Sequence, residues 1–190
     1  GWLALYAGAA SGADVILIPE IPYDLDAVCE VCLARSRHGK RFTLIAVAEG
    51  AVSANAKQGE APTRKGEAPA EPKQFAPDAP DAPRLGGISE TLCEQIGGKT
   101  HLDCRATILG HVQRGGPPGA YDRVLGMIFG RSAVDLAVQG QFGRVVVQKA
   151  GQLMHVPLAA VAGRSRNVPP DDPVLTACRA IGVSFGEPPG

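Results

Sequence analysis

The sequence carries no net charge, since nineteen Lys and Arg balance nineteen Asp and Glu over 190 residues. That excludes a nucleic-acid binder driven by overall charge, so any anion site must be a local arrangement. No apolar run approaches the roughly eighteen residues that a membrane span needs. No signal-peptide pattern is visible either, and the reading is therefore a cytoplasmic protein with neither membrane nor nucleic acid as partner. Paired metal-ligand spacings are missing as well. Cys29 and Cys32 form a C-x-x-C, but they lie inside a helical pattern with no second pair, which suits helix packing better than zinc or redox chemistry. His38, His101 and His155 have no companion ligands, so no metal site is expected among these residues. The odd total of five cysteines, scattered through apolar elements, suits a reducing compartment.

What is present is enough for a domain with a real core. The chain opens on Gly1 and runs straight into an apolar helical stretch, Trp2 to Ala10, which reads as a piece cut from a longer chain. Val15 to Ile18 is a continuous apolar run closed by Pro19, the pattern of a strand buried on both faces. Asp24 is a good N-cap for a helix reaching Arg37. Leu25, Val28, Cys29 and Cys32 make its core stripe, and Gly39 stops it. Phe42 to Val47 reads as a second strand, ending at Glu49-Gly50.

Composition then shifts. Between Ala51 and Pro83 there are nine Ala and six Pro, and the only large apolar residue past Val52 is Phe75. Such a stretch cannot bury enough surface to offset its ordering entropy, so residues 52–85 are expected to be a disordered or polyproline-like insertion within a single lobe spanning 1–190. Order is expected again from Ile88 to about Ile96 as a helix. A third strand should start near Cys104 and run through Thr107 to Leu109. Tyr121, Val124, Leu125, Ile128 and Phe129 stripe one helix, and Ala133 to Val138 form another. Val145 to Val147 is a strand with a hairpin partner, Leu153 to Val156, across Ala150-Gly151, and Pro173 to Ile181 is a final helix.

Strand and helix alternate and the strands are apolar. This predicts an α/β fold, a three-layer parallel sheet with helices on both faces. Ligands in such sheets bind beyond the carboxyl ends of the strands. Glu20, Glu49 and His111 all follow a predicted strand and are candidates to share one crevice.

The densest chemistry lies in Arg105-Ala-Thr-Ile-Leu-Gly-His111-Val-Gln113-Arg114-Gly-Gly116, followed by Asp122-Arg123. Arg offers a planar fork to phosphate oxygens, His adds a donor, and glycines let backbone amides approach closely. Asp122 reads as first-turn charge complementing a helix dipole, and Arg123 as the member of an ion pair. Glu20 is a carboxylate suited to sugar hydroxyls. Glu49 reads as a strand-end or loop partner.

That pattern, Arg, four residues, Gly-His, one residue, Gln-Arg-Gly-Gly, five residues, Asp-Arg, resembles the signature of the 6-phosphofructokinases. Gly1-Trp-Leu-Ala-Leu5 resembles the segment after that family's Met-Gly-Arg motif. Ile16 to Asp24 resembles its Pro-Glu loop, and Val183-Ser-Phe-Gly186 the C-terminal end of a bacterial branch using ATP or pyrophosphate. The resemblance implies phosphorylation of fructose 6-phosphate in glycolysis, with Mg²⁺. It implies substrate binding by Glu20, Arg105, His111, Gln113 and Arg114, and a homo-oligomer in which Arg105 serves a neighbouring subunit's site. The Gly-Gly-Asp nucleotide loop and the Thr-Ile-Asp-Asn-Asp segment that supplies the family's catalytic Asp are not in this sequence. The chain therefore looks like the C-terminal, sugar-phosphate half, with the magnesium site and the donor outside it. The rival reading is a stand-alone sugar-phosphate-binding module without catalysis.

Overall fold

The computed structural model describes residues 1–55 and 87–188. The chain divides into two compact units, Gly1–Ile108 with Asn167–Gly190, and Leu109–Arg166.

In the first unit, helix α1 spans Trp2–Ser11, strand β1 Val15–Leu17, helix α2 Leu25–Arg37, strand β2 Ile45–Val47, helix α3 Ile88–Thr100 and helix α5 Pro173–Ala180. β1 and β2 are parallel, with Val15 opposite Ile45 and Leu17 opposite Val47. On its other side β1 meets Ser184. Ile16 N–H donates to the Ser184 carbonyl (2.9 Å) and Ser184 N–H to the Asp14 carbonyl (3.0 Å), a parallel bridge. β1 is thus central, which explains why Val15, Ile16, Leu17 and Ile18 are all fully buried. Alternation divides them between two cores. Val15 and Leu17 pack with Val28, Cys29 and Cys32 of α2 and Leu92 and Ile96 of α3. Ile16 and Ile18 pack with Leu5 of α1, Leu175 and Cys178 of α5, and Phe185. Helices therefore cover both faces of the strand, the layering that the apolar run at Val15 predicts.

The local signals behave as their chemistry requires. The Asp24 carboxylate accepts from Asp26 N–H (2.7 Å) to cap α2, and the Asp172 carboxylate accepts from Val174 N–H (2.9 Å) to cap α5. Gly186 sits at φ 73°, and a Cβ there would come 2.7 Å from the Tyr23 Cβ and 2.9 Å from Leu17, so only glycine fits.

Three expectations are corrected. No strand forms over Cys104 to Leu109: the segment has no ladder partner among the described residues, and Ile108 and Leu109 are exposed. A β-branched run is a strand only where a neighbouring backbone accepts its hydrogen bonds. Helix α3 continues past Ile96 through Gly97 and Gly98 to Thr100, because Ile96 and Thr100 are both buried on its inner side. The first four residues of the predicted insertion are ordered. Tyr23 N–H donates to the Val52 carbonyl and Ala54 N–H to the Tyr23 carbonyl. Residues 56–85 of that stretch lie outside the described residues.

The second unit holds a 3₁₀ turn at Gly110–Arg114, helix α4 at Ala120–Val138, and the antiparallel strands β3, Arg144–Lys149, and β4, Gln152–Pro157. Lys149 pairs with Gln152, leaving Ala150 (φ 50°) and Gly151 (φ 79°) as a two-residue loop with both φ positive, the I′ form that suits a twisted hairpin. One helix stands where two were expected. Gly130 does not break it, since one glycine costs only about 1 kcal/mol against Ala, and Arg131 pairs with Asp135 one turn on (3.0 Å). Leu125, Phe129 and Leu136 form the half-buried to buried stripe of α4. Tyr121, Val124 and Ile128 stay exposed, against the stripe predicted for them.

Candidate functional site

The turn Gly110–Arg114 determines what its side chains can do together. A 3₁₀ helix has about three residues per turn, so residues i and i+3 eclipse. His111 and Arg114 therefore stand on one face, one above the other. The turn is closed by Val112 N–H donating to the Leu109 carbonyl (3.0 Å) and Gly115 N–H to the Val112 carbonyl (2.9 Å). Gly110 (φ 52°) and Gly116 (φ 91°) frame it in backbone conformations that side chains resist, and a Cβ on either would meet open space. A Cβ on Gly115 would press to 3.0 Å on the Val112 carbonyl. The result is an exposed knuckle with two donor side chains on one face. Neither His111 nor Arg114 has a side-chain hydrogen bond or ion pair among the described residues. A cationic side chain with no internal acid beside it is available to an external anion. Gln113 lies about 120° around the turn from both, so its amide faces a different edge.

The other predicted residues lie in the first unit. Arg105 is exposed and reaches Asp103 at 3.4 Å, with both side chains more than four-fifths exposed. Such a pair has little hold on either partner. The six-residue strand expected to lead from Arg105 to His111 is absent, and the two residues fall in different units. Glu20 Oε1 accepts from Val168 N–H at 3.0 Å, tying the chain that returns at 167–168 to the end of β1. Its Oε2 is buried with no hydrogen bond among the described residues. Glu49, at the carboxyl end of β2, is exposed and has no ion pair or hydrogen bond of its side chain among the described residues. The sequence pattern put both carboxylates past strand ends. It held no signal for the bond between Glu20 and Val168, which lie 148 residues apart.

Around the knuckle, Asp122 lies in the first turn of α4 as expected, whereas Arg123 has no ion pair among the described residues. Cys29 and Cys32 are buried in α2, and burial raises both thiols above their ordinary value. His38 contacts the Ala34 carbonyl, His101 ends α3, and His155 bonds Arg144. No group of three or more His, Cys, Asp or Glu among the described residues could hold a metal ion.

Residues 1–137, which include the knuckle and both carboxylates, match the model of the family described as phosphofructokinase. The chain belongs to the phosphofructokinase family. It is 38% identical over 187 residues to the ATP-dependent 6-phosphofructokinase of Spirochaeta thermophila, covering 98% of this chain and 48% of that protein. It is 40% identical to the ATP-dependent 6-phosphofructokinase 2 of Clostridium perfringens, with 98% and 48% covered. The enzyme of Propionibacterium freudenreichii gives 40% identity, with 98% and 52% covered. The chain thus spans about half the length of the curated relatives it matches. Among solved structures, Pichia pastoris phosphofructokinase in the T-state aligns with a TM-score of 0.57 at 30% identity, over 84% of this chain and 15% of that one. The α/β architecture is that of a phosphofructokinase.

Proposed function

We propose that this chain is the sugar-phosphate-binding part of a 6-phosphofructokinase, a cytoplasmic glycolytic phosphotransferase acting on fructose 6-phosphate. The observation that carries the reading is the eclipsed, unpaired His111–Arg114 face on a glycine-framed turn, inside the stretch that matches the family. A phosphate dianion seated there would accept from the Arg114 guanidinium and the His111 ring, each charge-assisted bond contributing about 1.5–3 kcal/mol. Gln113 serves a second edge of the same ligand. Arg105, exposed and held only by Asp103, serves the 6-phosphate in a neighbouring subunit's site within a homo-oligomer. Of the two strand-end carboxylates, Glu20 is the one that accepts from a sugar hydroxyl, its Oε1 held by Val168 N–H and its Oε2 without a hydrogen bond among the described residues, and Glu49 stays a strand-end loop partner.

The donor is read as ATP rather than pyrophosphate, because the curated relatives are named ATP-dependent enzymes. Magnesium belongs to such a reaction, and no group of three or more His, Cys, Asp or Glu among the described residues could hold it. This chain's share is to hold and orient the sugar phosphate. The test is calorimetric titration of the chain with fructose 6-phosphate. Binding is expected, weakened roughly 30- to 150-fold by Arg114→Ala, the equivalent of about 2–3 kcal/mol. With ATP and magnesium added, the chain alone should turn over no fructose 6-phosphate. Unchanged affinity in the variant would remove Arg114 from the site.

A further inference from the structure

Helix α3 ends in a reversal that lays the following segment back along it. His101 takes the left-handed conformation (φ 59°), its N–H donating to the Gly97 carbonyl. Thr100 Oγ1 donates to the Ile96 carbonyl (2.6 Å) and accepts from Leu102 N–H (3.2 Å), fixing the turn. The Leu102 carbonyl then passes over Gly97, 3.6 Å from where a Cβ would stand. Cys93 lies four residues before Gly97, on the same face of the helix. Three extended residues from His101 to Cys104 retrace about 10 Å, or about seven residues of helical rise, which brings Cys104 level with the turn that carries Cys93. Leu102 and Cys104 pack against the core that holds Leu92 and Ile96. Cys93 and Cys104 are half-buried, whereas Cys29, Cys32 and Cys178 are buried.

We propose that Cys93 and Cys104 are a redox-modified pair, which a small-molecule disulfide converts reversibly to an intramolecular disulfide. Burial first, and hydrogen bonding to Cys93 second, push the Cys104 thiol up to about 11. Cys104 therefore keeps its proton at neutral pH. The Cys93 thiolate attacks one sulfur of RS–SR; that S–S bond breaks, and RS⁻ leaves with the electron pair and takes up a proton. Cys104 then loses its proton to the solvent, attacks the Cys93 sulfur of the mixed disulfide and expels the second RS⁻, which is protonated in turn. Two protein thiols are oxidised and one RS–SR is reduced to two RSH. The link ties the backbone to α3 one residue before Arg105.

The experiment equilibrates the whole chain in buffers of graded reduced and oxidised glutathione, quenches with acid, alkylates free thiols and maps the proteolytic peptides by mass. Expected is one cross-link joining the Cys93 and Cys104 peptides, reversed by excess reduced glutathione. It should be lost in Cys93→Ser and in Cys104→Ser and retained in Cys178→Ser. The wild-type map decides the matter even where a variant fails to fold. Glutathione adducts without the cross-link, or a link between Cys29 and Cys32 in its place, would overturn the proposal.

Discussion

The two units differ in how completely they enclose their own apolar residues. In the first, one strand is sandwiched between two helical layers, and Val15 to Ile18 are fully buried. In the second, a helix lies on a hairpin, Leu136 alone is buried, and Tyr121, Val124, Met127, Val134, Val138 and Phe142 are more than half exposed. The difference is one of layers. A central strand has two faces to cover and the first unit supplies both covers. A single helix on a two-stranded hairpin can bury only one stripe. The knuckle carrying His111 and Arg114 thus belongs to the less enclosed unit, where low local stability goes with access for a ligand.

The largest expected effect is in the first unit. Ile16→Ala should destabilise it by about 2–5 kcal/mol, the range for a buried aliphatic truncation, whereas Met127→Ala in α4 should stay within about 0.5 kcal/mol. Urea titration of both variants checks the contrast, and equal losses would break it.

Next comes the helix cap. Asp24→Ala removes the acceptor for Asp26 N–H and should cost about 1 kcal/mol. The loss should appear as faster amide exchange through α2, with α4 unchanged.

Alkaline pH should separate the units in the same direction. Tyr23, Cys29, Cys32 and Cys104, all in the first unit, have pKa values raised by burial. The folded state therefore holds their protons more tightly than the unfolded chain does. The stability linked to the thiols is complete below their ordinary value of 9.0 and is lost as pH rises toward the Cys104 value of about 11. Urea midpoints measured across that window should fall, and signals from the first unit should report the fall.

The smallest effect is at the hairpin. Ala150 is a non-glycine residue at φ 50°. Ala150→Asn should stabilise β3–β4 by about 0.5 kcal/mol, since Asn-Gly is the favoured pair for this turn. Thermal melting of the two proteins side by side is the check.

What was legible in the sequence follows the same division. Asp24, the apolar run at Val15, the Ala150-Gly151 turn and the Asp172-Pro173 start of α5 are local signals, and local chemistry decided them. The strand expected from near Cys104 through Thr107 to Leu109 does not form, because a strand depends on a partner that no short window reveals. The helix from Ile88 was ended too early and the helix over Ala120–Val138 was read as two, whereas burial at Ile96 and Thr100 and a pair at Arg131–Asp135 go with the longer helices. His111 and Arg114 were singled out as residue types, but their eclipsing appears only once Gly110–Arg114 is seen as a 3₁₀ turn. Glu20 was preferred to Glu49 by position and by the family resemblance, and its bond to the distant Val168 amide carried no local signal.

The account stands or falls on whether the knuckle takes a phosphate. Amide chemical shifts of the isotope-labelled chain, followed during titration with fructose 6-phosphate and separately with fructose, test it most directly. Saturable shifts centred on Gly110 to Gly116 with fructose 6-phosphate, absent with fructose, are the predicted result. Shifts that miss this turn, or that fructose reproduces, would contradict the account.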